Sequence, residues 1–113
     1  ARIQRSNGSF EEAYPLESSM CVTALVLFHL LYAQAMYPGY FSDRALACLR
    51  EITKKGLHFL ETVPETHGVI ANHLATQVMA CALARRFLQQ PEKQREIPTF
   101  LALQHAVEGW FPE

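Results

Sequence analysis

Hydrophobic and polar positions along the chain change their pattern four times, and each change marks a predicted helix. From Met20 to Ala33 the chain is apolar on nearly every side, interrupted by Thr23 and His29. All-round apolarity in a helix means burial on two faces or a membrane span. The run falls short of the roughly 20 residues a bilayer requires, and Glu17 and Gln34 flank it. It therefore reads as a buried helix, capped by Ser18 or Ser19, running to about Tyr37 and stopped by Pro38-Gly39.

A second helix, about Arg44 to Thr62 with Asp43 as its cap, is patterned differently. Leu46, Leu49, Ile52, Gly56, Leu60 and Val63 form one stripe; Arg44, Glu51, Lys55, His58 and Thr62 form the opposite one. This is an amphipathic helix with one face in water. Gly56 weakens it by about 1 kcal/mol relative to Ala, which implies a closely packed neighbour there. Pro64 ends the helix, Glu65 to Gly68 is a loop, and a third helix runs from about Ile70–Asn72 to Gln90. Like the first it is apolar almost all round, with alanines suited to close helix contact, until Arg85-Arg86. A fourth helix fits between Pro98 at its first turn and Gly109 as its stop. The fold class expected is all-α: two helical hairpins, residues 1–64 and 65–113, in which buried and amphipathic helices alternate. That alternation suits two layers, an inner one of apolar helices and an outer one of amphipathic helices, with apolar surface left open on the inner pair.

A short signature brackets the hairpins. Asn7-Gly8-Ser9-Phe10-Glu11-Glu12 is answered by Glu108-Gly109-Trp110-Phe111-Pro112-Glu113. In both, a polar residue precedes Gly, an aromatic follows two places later and Glu four places later. The interval matches two repeats of the size usual for helical arrays, so the chain reads as one span of a larger repeating object. Gly68 occupies the matching loop between the hairpins.

Composition narrows the function. Half the residues are hydrophobic and the net charge is −1, which excludes a disordered chain and disfavours nucleic-acid binding through a concentrated basic face. Cys21, Cys48 and Cys81 are far apart and without a CxxC pair; they read as small buried hydrophobes in a reducing cytoplasm. His29, His58, His67, His73 and His105 are scattered, without HExxH spacing, so neither a metal nor another cofactor is implied.

The element Gln4-x-x-x-Gly8-x-Phe10 resembles the QxxxGxW element of α/α-toroid proteins, with Phe in place of Trp. Gln104-x-x-x-x-Gly109-Trp110-Phe111 is a looser copy. Together with Glu12-Ala13-Tyr14-Pro15 and Glu17-Ser18-Ser19 opening a helix, it is similar to the six-hairpin toroids that process polysaccharides. His67-Gly68-Val69-Ile70-Ala71-Asn72-His73 resembles the helix entrance of heparinase- and alginate-lyase-like members. The resemblance implies a central cavity with its site near the N-termini of the inner helices, where backbone N–H groups favour anionic ligands. Carried onto this chain, Asn72 and His73 would neutralise a uronate carboxylate and Tyr14 would remove the neighbouring proton. Glu12, Glu17 and His67 would contact substrate, with Glu11 behind them. Each has a plainer reading: Asn72 as a helix cap, and the glutamates as charged loop residues compensating a helix dipole. Glu12 and Glu17 also raise glycosidic hydrolysis by paired carboxylates, although recurrence of Glu12's position at Glu113 favours a scaffold part for it. The expected function is thus a fragment of a carbohydrate-processing toroid, inactive alone, partnered by a glycan and by further hairpins or a second copy. The alternatives are a non-catalytic helical interaction module and, for the fold, an ordinary four-helix bundle.

Overall fold

The computed structural model describes residues 3–12, 14–63 and 71–91. Three α-helices account for most of them: α1, Met20–Met36; α2, Asp43–Thr62; and α3, Ala71–Leu88, with a 3-10 turn at Pro38–Tyr40. No strand occurs among the described residues, so the chain is all-α as expected. The expected fourth helix, with Gly68 and Gly109, lies outside them.

Local chemistry sets the boundaries. Ser19 caps α1, its Oγ accepting the Val22 N–H at 3.2 Å. The cap of α2 is Ser42, whose Oγ accepts from the Ala45 N–H; Asp43, expected as the cap, is instead the first helical residue, where its charge complements the dipole. Pro38 opens the 3-10 turn that separates the first two helices.

The core is one cluster shared by all three helices. Met20, Ala24, Leu27 and Leu31 project from α1, Leu49, Leu57, Phe59 and Leu60 from α2, and Ala80, Cys81 and Ala84 from α3. The spacing on α1 is that of a single helical stripe. Gly56 is where α2 meets it: a Cβ there would stand 2.6 Å from Leu27 Cδ1. Every helix touches both others, and α1 is in broader contact with α3 than with α2, its neighbour in sequence. The two apolar helices thus lie side by side and the amphipathic one covers both.

Direction follows from three contacts. The short 37–42 connection and the Leu27–Gly56 approach fit one antiparallel register for α1 and α2. Between α2 and α3, Gln77 Nε2 donates to the Leu60 carbonyl at 2.6 Å while Arg50 lies over the Phe87 ring at 5.3 Å. Over these two contacts, advancing along α2 means retreating along α3, so the pair is antiparallel, and the Arg85–Glu61 ion pair shows that the two helices are inclined rather than in strict register. It follows that α1 and α3 are parallel. Parallel, packed together and of nearly equal length, 17 and 18 residues, the two helices begin at the same end.

Two readings of the sequence need correction or completion here. Cys81 is buried and Cys21 partly so, but Cys48 is exposed, because it falls on the watered flank of α2. Apolar side chains stand open to solvent on both apolar helices: Leu25, Tyr32 and Met36 on α1 and Met79 on α3 are 39%, 51%, 54% and 52% exposed. No helix among the described residues is long and apolar enough to cross a membrane.

Candidate functional site

The segment before α1 is held in place by the signature that opened the chain. Gln4 Nε2 donates to the Gly8 carbonyl at 3.0 Å and to the Ile52 carbonyl of α2 at 2.9 Å. Gly8 has φ +92°, and its Cα presses on the backbone of α2; a Cβ would lie 2.1 Å from the Lys55 carbonyl oxygen. Glycine is required twice over, by conformation and by space. Asn7 Oδ1 accepts from Ser9 N–H and Oγ at 3.1 and 2.7 Å, which turns the chain inward. Phe10 is then buried, with its N–H donating to Thr23 Oγ1 at 2.8 Å and its carbonyl accepting the Ser19 N–H at 3.0 Å. Thr23 in turn donates to the Ser19 carbonyl at 2.6 Å. The polar interruption in an apolar helix is therefore a fully buried anchor for the entry segment. A threonine at such a position is the kind of signal that marks a buried hydrogen bond.

Residues 11, 12 and 14–18 lie in the irregular segment that leads into α1. Glu11 accepts from Arg5 Nη1 at 2.6 Å and from the Leu16 N–H at 2.7 Å. Glu12 Oε2 accepts from Ser19 Oγ at 3.2 Å, placing a negative charge at the helix N-terminus. Glu17 Oε2 accepts the Tyr14 N–H at 3.3 Å. Leu16 and Ser18 have φ of +76° and +53°, unusual for residues with a Cβ. The result is to present Tyr14, 73% exposed, to solvent.

At the start of α3, Asn72 is exposed and within the first turn rather than at the cap position; its Oδ1 accepts the His73 N–H at 2.9 Å, one of the donors that a helix start leaves unpaired. His73 is half-buried. The predicted residues thus fall into two groups, Glu12, Tyr14 and Glu17 before α1 and Asn72 and His73 in α3, at the same end of the parallel pair. His67 lies outside the described residues.

Three further features were not singled out from sequence. Arg85 is 3% exposed and forms an ion pair with Glu61, a second side-chain link between α3 and α2. An open cleft of 550 Å³ lies along the entry segment, lined by Ile3, Gln4, Arg5, Phe10, Glu11, Val22 and Val26; none of the predicted site residues but Glu11 borders it. The Lys54 ammonium, 2.8 Å from Glu51, holds that carboxyl below the usual range on the exposed face of α2. Among the described residues no group of three His, Cys, Asp or Glu side chains is arranged to hold a metal ion.

No family model matches the sequence, and neither a curated protein nor a solved structure matches it.

Proposed function

We propose that this chain belongs to an α/α-toroid-like carbohydrate-processing protein, to which it contributes two inner helices and their entry loops as part of a glycan-binding cavity. The observation that carries the proposal is the parallel pairing of α1 and α3, with the Tyr14 loop and the Asn72–His73 turn at one end. Helix N-termini favour an anionic ligand, and an exposed tyrosine at the same helix end as amide, imidazole and carboxylate groups suits the apolar faces and hydroxyl edges of a sugar. In this reading Asn72 and His73 bind a uronate carboxylate, Tyr14 is the base, and Glu12 and Glu17 hold the loop and meet substrate hydroxyls. The cavity is completed by further hairpins or by a second copy.

A second reading rests on a different observation. The open stripe of Leu25, Tyr32 and Met36 on an uncharged helix suits a non-catalytic module that acts through protein contacts. Titration of the isotope-labelled chain with uronate oligosaccharides separates the two. Amide shifts at Tyr14–Glu17 and Asn72–His73 that disappear in Tyr14→Ala and Asn72→Ala support the glycan site. An unshifted spectrum at millimolar sugar rejects it and leaves the interaction module.

A further inference from the structure

We infer that the exposed stripe of α1 is the seam of an antiparallel homodimer, in which His29 of each chain accepts a hydrogen bond from the partner's Tyr32. The inference rests on the reading of the stripe as a protein-contact surface and names the partner as a second copy of this chain. The helix carries one spacing twice. Met20, Ala24, Leu27 and Leu31 lie four, three and four residues apart and are buried in the core. Leu25, His29, Tyr32 and Met36 repeat that spacing five residues later, about 140° around the helix, and all four are exposed. Alternating steps of four and three keep a seam facing one partner helix along its length. The second stripe therefore has the form of a second helix-packing face.

Its chemistry selects the occupant. No residue of α1 is charged, so a partner helix flanked by charges gains no ion pair here. The outer face of α2, with Arg44, Glu51, Lys54, Lys55 and His58, is a poor match in a head-to-tail contact; another α1 is uncharged throughout. Turning one copy end over end, about a two-fold axis midway between His29 and Tyr32, sets Leu25 against the partner's Met36 and His29 against the partner's Tyr32. The two polar tips are complementary. His29 Nδ1 donates to the Leu25 carbonyl at 2.7 Å, which leaves Nε2 of the neutral ring as an acceptor, and the Tyr32 hydroxyl is a donor. Phe28 holds both rings, stacked on Tyr32 at 5.8 Å and edge-on to His29 at 5.3 Å, so little side-chain freedom is lost on pairing. A parallel pair would set His29 against the partner's His29, two acceptors without a donor.

Sedimentation equilibrium from micromolar to near-millimolar concentration tests the pairing, with circular dichroism checking that each variant stays helical. The expected result is a reversible monomer–dimer equilibrium. Tyr32→Phe keeps the apolar ring, removes the donor from both copies and should weaken the dimer about tenfold or more. Leu25→Glu and Met36→Lys should each weaken it alone yet associate when mixed, because antiparallel packing brings the two substituted positions together. Lys54→Glu, a charge change on the outer face of α2, should leave the equilibrium as it is. A monomer at every concentration overturns the inference, as does a dimer insensitive to Tyr32→Phe or as sensitive to Lys54→Glu as to Leu25→Glu. A soluble gadolinium chelate separates that failure from failure of the underlying reading. A monomer whose Tyr32 ring signals it broadens still offers the stripe to a different protein, whereas a monomer with those signals intact ends the protein-contact reading too.

Discussion

Replacing Gly8 with Ala tests how the entry segment is fixed. The added Cβ would lie 2.1 Å from the Lys55 carbonyl oxygen and 2.4 Å from its carbon. Both are backbone atoms in the middle of α2, which cannot swing aside as a side-chain tip would. The φ of +92° adds about 1–2 kcal/mol of conformational strain for any residue with a Cβ. The segment must therefore lift from α2. Lifting it breaks the Gln4 bond to Ile52, at about 1 kcal/mol, and uncovers part of Phe10, whose full burial stabilises by about 1.5–3 kcal/mol. Together these give a loss of about 3–5 kcal/mol, a large fraction of the total stability of a small domain. Urea unfolding followed by circular dichroism measures it, with Gly39→Ala as the control because nothing lies within 4 Å of a Cβ there. Gly39→Ala should change stability by less than about 0.5 kcal/mol. If Gly8→Ala were as stable as that control, the packed-backbone explanation of the glycine would be refuted.

Two other substitutions probe the helix contacts. Gly56→Ala gains helix propensity of about 1 kcal/mol but drives a methyl into Leu27, which is fully buried; overpacking of about 1–3 kcal/mol should win, and Gly56→Ala with Leu27→Ala should recover part of the loss in the same urea assay. Arg85→Met leaves Glu61 without its α3 cation and should destabilise by about 2 kcal/mol, less than a fully buried pair because Glu61 is a quarter exposed; adding Glu61→Gln should restore about half, as a double-mutant cycle would show.

Much of the helical layout is legible in the sequence because it depends on periodicity. The stripe of Leu49, Ile52, Gly56 and Leu60 identifies the covered face of α2, and the gap left by Gly56 implies the close neighbour that proves to be Leu27. Sequence alone puts the cap of α2 one residue late, at Asp43, because Ser42 and Asp43 are both good caps and backbone geometry decides between them. Cysteine is usually buried, which points Cys48 to the interior; its place on the watered flank of α2 decides otherwise. The site was less legible. Gln4, Gly8 and Phe10 stand out as a motif, but their task of binding one segment to α2 is a long-range fact. The glutamates of the Tyr14 loop carry no local signal of which backbone N–H each accepts. Positive φ at Leu16 and Ser18 runs against residue preference, since glycine or asparagine would be expected at such positions.

The parallel pairing of α1 and α3 underlies both the three-helix packing and the proposed site, and paramagnetic relaxation measures it. A nitroxide at position 72, attached through Asn72→Cys after replacing Cys21, Cys48 and Cys81, would sit on an exposed residue at the start of α3. Adjacent helices lie about 10 Å apart, whereas the far end of α1 is about 25 Å further along its axis. The amides of Ser18 to Met20 should therefore broaden strongly while those of Tyr37 to Tyr40 keep most of their intensity. Broadening at Tyr37 to Tyr40 with Ser18 to Met20 intact would contradict the arrangement.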